Sequence, residues 1–501
     1  SSLTSVEIPD GVTSIGVSAF SGCTLLTSVS IGDNVTSLGN SAFSGCSALT
    51  SITIPDSVAS IEEFSFSACG KLTDITIGSG VTNIGRYAFS GTGAANDADN
   101  WIDKVLYIDG CLIEARTTVA GNCEILPGTR LIANSAFYIL PSLTGIVIPG
   151  SVTSIGAFAF FGCEAITSAV IGDGVKSIGR STFSGCTSLT DITIPDSVTD
   201  IGENAFSTCT SLTNVVIGEG VTSIENVFSD STSLTTVVIG DGVTSIGNMF
   251  SGCSLLVSIS IGNGLTSIEN NAFSGCTALT GIIIPNSVKS IGSYAFSGCA
   301  SLTDVTIPDN VKNIGDSAFS GCASLTDVTI PDSVTSIGDE AFFGCAALSR
   351  MTIGSGVTKI GCLAFSDTGI YNNGENWTGE VLYIDGCLID VKETIAGNYE
   401  ILPGTRLIAA EAFSDCEFLT SVTMPDSITS IASYAFSSCY LLESIIISDN
   451  VTIIEEGTFY NCNALASVVF PKNAKVIHAR AFFCCTSLTS VVIPEGVTDI
   501  D

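Results

Sequence analysis

The sequence predicts a solenoid of about 22 coils with a 23-residue period, in which one short strand per coil joins a parallel β-sheet and short 3-10 or irregular turns close each coil. Three observations predict it. A 23-residue unit recurs along nearly all of the 501 residues. One Phe per unit falls at a fixed place, from Phe20 to Phe482, and this row takes 19 of the 26 phenylalanines. Apolar residues make up 45% of the chain and charged residues only 13%, which requires a packed core and excludes an acidic disordered chain. A single unit of this length cannot bury its own apolar face, so stacking must do it.

The copy Ser324–Ala346, SLTDVTIPDSVTSIGDEAFFGCA, shows the elements in order. Leu325–Ile330 is rich in β-branched residues and ends in alternation, so it is a strand. Pro331-Asp332 turns the chain. Val334–Ile337 is a second short extended segment. Asp339–Gly344 is too short for a full helix and suits one 3-10 or α-type turn. Leu325, Val328, Ile330, Val334, Ile337, Ala341, Phe342 and Cys345 are the core anchors.

Leucine anchors mark the beat from Leu3 to Leu488, with two 22-residue steps, Leu212 to Leu234 and Leu234 to Leu256. The missing residue lies just before the Phe, in IENVF and IGNMF. A deletion within the strand would instead flip its side-chain register. Two inserts, residues 90–136 and 366–412, are copies of each other offset by twelve repeat units, so that Phe89 before the first matches Phe365 before the second. In each, a hairpin is expected around Asp-Gly, with Val105–Ile108 and Leu112-Ile113 as its arms in the first. The inserts should form local bulges on an otherwise single solenoid spanning 1–501.

The frame L-x-x-V-x-I-P-D-x-V-x-x-I-G-x-x-A-F-x-x-C resembles the BspA-like leucine-rich repeat family, also called the Treponema pallidum type. The resemblance covers essentially the whole chain, and LYIDG…GTRLIA resembles a variant coil of that family. It implies a curved leucine-rich repeat solenoid. It also implies an extracellular or cell-surface location and binding of host or matrix proteins, or adhesion, with no catalytic residues to carry over.

The formal charge of −33 argues against nucleic acid and anionic membranes, and favours basic partners, divalent cations or a salty medium. No apolar run is long enough for a membrane helix, so no direct membrane insertion is expected. Fifteen of the 20 cysteines share one repeat position, Cys23 to Cys485. Stacked side chains at one position point the same way, so a reduced core ladder is expected rather than a disulfide scaffold. Zinc is disfavoured by the lone histidine, His478, and the lack of paired C-x-x-C units. Cys111 and Cys123 are close enough in sequence to bridge, although Tyr399 stands where Cys123 would be in the second insert.

Two rows should face solvent. A Thr row (Thr4, Thr27, Thr50, Thr73 and onward) admits an ice-binding reading, against which stands an ordinary solvated β face. An acidic row comprises Asp10, Asp33, Asp56, Asp173, Asp196, Asp241, Asp309 and Asp332. It admits Ca²⁺ between adjacent coils, the only cofactor the sequence suggests; the alternative is Asx bonding of each Asp to its own backbone. Glycosylation motifs occur at Asn34, Asn376 and Asn450. Trp101 and Tyr107, with their copies Trp377 and Tyr383, are candidate partner contacts; local packing of the bulge is the alternative.

No catalytic constellation is present, so the expectation is a non-catalytic extracellular interaction or adhesion protein. It would bind a protein, matrix or glycan ligand through the sheet and bulges. The other expectation is a filament subunit that binds itself head to tail, since both ends of the sequence fall inside a coil without a cap.

Overall fold

The computed structural model describes residues 2–501 and is a parallel-strand solenoid of about 22 turns with almost no helix. Its contacts divide it into two compact units, Ser1–Gly264 and Leu265–Asp501. Within each unit an ordinary coil supplies two strands to two parallel ladders. The longer, such as Asp327–Ile330, pairs in register with Arg350–Ile353, placing Val328 beside Met351 and Ile330 beside Ile353. The shorter, Ser336–Ile337, pairs with Lys359–Ile360. Alternation along the longer strand sends Val328 and Ile330 inward and Thr329 outward.

The third side of the coil differs from the helical turn that its length suggests. Glu340 and Gly344 both take left-handed backbone, with φ of 54° and 70°. This rotates alternate N–H groups out of the coil, so Glu340, Phe342 and Gly344 donate to the carbonyls of Cys362, Ala364 and Ser366 in the next coil at 2.8, 2.8 and 3.0 Å. A helical turn would have kept those donors inside its own coil. The left-handed place two residues before each Phe is filled by Asn in both short coils, Asn226 and Asn248, a residue that tolerates it. The missing residue converts the turn before it into a third strand residue, giving Ser223–Glu225 and Ser245–Gly247.

The core follows from this register. Successive Phe rings stack face to face, as between Phe296 and Phe319 at 5.1 Å and between Phe319 and Phe342 at 5.2 Å. Every ring of the row except the end members Phe20 and Phe482 is fully buried. Close approach requires glycine at one repeat position in several coils: a Cβ on Gly356 would lie 2.0 Å from the Asp332 carbonyl oxygen of the preceding coil, and one on Gly80 1.9 Å from that of Asp56.

All 20 cysteines are free thiols. Most of those at the repeat position donate to a backbone carbonyl of the preceding coil. Cys322 donates through Sγ to the Phe296 carbonyl at 3.2 Å, and Cys163 to Phe137 at 2.9 Å. Ser231, at the same position, donates through Oγ to Phe206 at 3.2 Å. The residue is therefore a compact side-chain donor to a carbonyl of the preceding coil, in most coils a second donor beside a backbone N–H such as Cys299 to Phe296 at 3.1 Å, as well as a core filler. Burial raises the thiols: Cys163 to about 11, and Cys209, Cys253 and Cys299 to about 12.

Replacing Phe319 by Ala is expected to lower stability by about 3–5 kcal/mol, read as a denaturant midpoint. The half-exposed Phe483 should cost less than about 1 kcal/mol on the same substitution. Unfolded thiols ionise near pH 9 while the folded ones stay protonated. Stability should therefore hold below pH 9 and fall as pH rises from 9 toward 12. Scanning calorimetry against pH checks the direction, and replacing Cys299 by Ala should flatten the slope.

Candidate interaction surfaces

Each variant coil begins where the repeat cysteine is replaced by threonine. Thr92 and Thr368 are fully buried. Thr92 Oγ1 donates to the Phe89 carbonyl at 2.8 Å and accepts from Ala95 N–H at 3.1 Å. It thereby caps a single helical turn, Gly93–Asn96, as Thr368 caps Gly369–Asn372. A 3-10 turn follows, Ala98–Asn100 or Gly374–Asn376. Next come three antiparallel strands, Trp101–Ile102, Val105–Ile108 and Cys111–Ala115, copied as Trp377–Thr378, Val381–Ile384 and Cys387–Val391. The expected Asp-Gly hairpin is present, with Asp109 at φ 46° and Gly110 at φ 67°. The strand carrying the Trp was not foreseen; at two residues it is too short to show a period.

Two side chains clip each detour to the coil before it. Asp109 Oδ2 accepts the Ile77 N–H at 2.6 Å, and Asp385 that of Ile353 at 2.8 Å. Arg406 donates to the carbonyls of Val357, Ile353 and Gly354 at 2.6, 3.1 and 2.9 Å. Arg130 does the same to Ile77 and Val81 at 2.7 and 3.4 Å. These cations and anions satisfy strand-edge groups that the interrupted ladder would leave orphaned.

The four aromatic candidates lie in these coils, and their geometry is that of local packing. Trp101 Nε1 donates to the Ala95 carbonyl at 2.7 Å and Trp377 Nε1 to that of Tyr371 at 2.8 Å. Both indoles are half-buried, and each carries a cation on its face: Arg116 at 4.2 Å and Lys392 at 5.1 Å. Tyr107 is half-buried, and burial pushes its phenol up to about 12. Tyr383 shares a hydroxyl contact of 2.8 Å with Tyr399. Cys123, at the position matching Tyr399, lies near Tyr107 and is unbridged, as is Cys111.

On the sheet face the Thr hydroxyls donate to the neighbouring coil. Thr27 bonds the Thr4 carbonyl at 3.0 Å, Thr167 that of Thr144 at 3.1 Å and Thr213 that of Thr190 at 3.0 Å. The donors an ice-ordering array needs are thus committed to the sheet. A second outward row, three residues further along the strand at the place of Thr329, is not uniformly small and polar. In the first unit it includes the exposed Val170, Val216 and Val238, and in the second Ile283, Ile446, Val469 and Val492. Ile283, Ile446 and Val492 are 84%, 66% and 85% exposed, and Ile446 pairs in register with Val469.

The eight acidic-row residues are all exposed. Their bonding corrects the Asx expectation: the acceptor reaches the next coil, not its own backbone. Asp10, Asp56, Asp196, Asp241 and Asp332 accept the N–H of Asp33, Ser79, Glu219, Asn263 and Ser355 at 3.0, 2.5, 3.0, 2.8 and 2.6 Å. These bonds hold the carboxyls of Asp56 and Asp332 below the usual range. Among the described residues no three His, Cys, Asp or Glu side chains gather to hold a metal ion. Asn34, Asn376 and Asn450 each donate a side-chain amide to a carbonyl, of Asp10, Ile370 and Asp426, at 2.8, 2.9 and 2.7 Å. The single histidine, His478, pairs with Asp501 at 2.6 Å. Among the described residues no helix is long and apolar enough to cross a membrane.

Parallel ladders of short repeated coils around Leu, Ile and Phe define a leucine-rich repeat protein. The family model of the BspA type leucine rich repeat region, in six copies, matches residues 1–105, 130–256, 247–371 and 395–501; the chain belongs to this family. The unmatched stretches, 106–129 and 372–394, hold most of the antiparallel strands of the variant coils. Among solved structures the chain is similar to a leucine-rich repeat protein from Bacteroides ovatus, 29% identical over 77% of this chain and 92% of that one, with a TM-score of 0.46. It is also similar to a leucine rich cell surface protein from Faecalibacterium prausnitzii (29% identity, 74% and 91% coverage, TM-score 0.35). A third likeness is to a leucine rich repeat protein of T. pallidum (28% identity, 36% and 89% coverage, TM-score 0.33). A search of curated proteins gave no match. Leucine-rich repeat proteins are, as a class, non-catalytic protein-binding scaffolds.

Replacing Arg406 by Ala should cost about 1.5–3 kcal/mol, because a charged donor to several carbonyls is lost. Amide exchange should quicken in 381–408 first. The exposed Arg180, 3.8 Å from Glu203, should change stability by less than about 1 kcal/mol on the same substitution.

Proposed function

We propose that the chain is an extracellular or cell-surface interaction protein that serves adhesion, binding a protein partner through the outward face of its sheet and the surfaces of its variant coils. The observation that carries this reading is the outward sheet row. Large β-branched side chains stand exposed there while the residues on either side of them face inward, Ile282 and Ile284 beside Ile283 and Ile445 and Ile447 beside Ile446 being buried. Exposed apolar groups set among polar neighbours are the usual chemistry of a protein-binding face. Membership of the BspA type leucine rich repeat family supports the location. The strong negative charge favours a basic partner surface.

The test is binding of the full chain to immobilised matrix proteins, compared with an I446E/V469E/V492E variant. Binding should weaken by about tenfold or more while the melting temperature stays within a few degrees, since these side chains bury little in the fold. Retained binding by the variant would move the contact off this face. Protease treatment of intact producing cells should release fragments of the chain; full protection would overturn the surface location.

A further inference from the structure

The duplicated variant coils differ in one respect that bears on a ligand. In the first, the guanidinium of Arg86 lies between two rings, 4.6 Å from the centroid of Tyr87 and 4.6 Å from that of Tyr138. Glu114 lies alongside; burial raises its carboxyl, and the charge of Arg86 partly offsets this. The space left there is about 100 Å³. The matching residues twelve units on are Cys362, Leu363, Ser414 and Asp390. The arginine and both rings are gone, the carboxylate is kept, and the cavity opens to about 540 Å³.

Three further changes carry the same sign. Thr117, Ser135 and Ile139 of the first coil become Glu393, Glu411 and Asp415, and all three line the second cavity. Its one lining cation, Lys392, does not replace Arg86. It matches Arg116, and both sit on the Trp of their own coil. The Asp390 carboxylate is held at the wall by the Tyr371 hydroxyl and its neighbour's N–H, both at 2.8 Å. Burial raises it, and no cation offsets this as Arg86 does for Glu114. The first coil thus displays, within the same chain, the group that fills this place.

We propose that the cavity beside the second variant coil binds a guanidinium group, as an arginine side chain presented by a protein partner. The four carboxylates would surround the planar donor fork, and the half-buried Trp377 would border it. That the arginine comes from a protein rests on the interaction reading above; the cavity's preference does not.

The test is calorimetric titration of the full chain with a blocked Gly-Arg-Gly peptide and its lysine and citrulline counterparts. The arginine peptide should bind once per chain, and the citrulline peptide at least about tenfold more weakly. An E411Q/D415N variant, altered only at exposed side chains, should lose about tenfold in affinity. A C362R/L363Y/S414Y variant, which rebuilds the filling of the first coil, should bind no peptide and melt no lower than the parent. Equal binding of arginine and citrulline peptides, or unchanged binding by either variant, would overturn the proposal. Equal binding of the lysine peptide would overturn the guanidinium preference. If peptides bind while matrix proteins do not, the cavity stands and the interaction reading falls.

Discussion

Every feature of this chain depends on one constraint: backbone donors on all sides of a coil must meet acceptors one coil away. The longer strand, the shorter strand and the left-handed turns each send N–H groups to the neighbouring coil. With the ladder fixed on all sides, side chains at one repeat position are forced into a column. The Phe stack, the thiol column and the outward rows are consequences of that stacking rather than separate designs. Because each coil answers only to its neighbours, the chain tolerates a coil one residue short, provided the lost residue comes from a turn.

The variant coils show what it takes to interrupt such a ladder. An antiparallel excursion withdraws donors and acceptors from the sheet, and buried orphans are costly. The chain meets this with a threonine that caps the departing turn and with an Asp and an Arg that bond the exposed strand edge. Once secured in this way, the excursion can vary on its outer side. The two copies have done so, one closing around its own arginine and the other staying open and acidic.

The repeat made most of the fold legible before any coordinates. Spacing assigned the strands, the Phe core, the free thiols and the hairpin at Asp109-Gly110. What stayed hidden depends on contacts between coils, which a one-coil reading cannot contain. Arg130 and Arg406 bond carbonyls more than two coils back in sequence, with no local pattern to announce it. Asp332 reads as a turn residue closed on itself, yet it serves the next coil. The cavity was missed for a related reason. Arg86, Tyr87 and Tyr138 lie just outside the bounds of the duplicated insert, so comparing the inserts alone left out the residues that distinguish them.

The column of capped thiols has a consequence for how the molecule is made. Once folded, nearly all of its cysteines are buried, so oxidants meet a protein that behaves as though it had almost no sulfur. The nascent chain has no such protection, since its thiols are spaced for stacking and any two can pair while it is loose. In an oxidising compartment, yield is therefore decided by a race between coil stacking and thiol pairing. The short sequence distance between stacked partners favours stacking, because each coil needs only the one before it to begin.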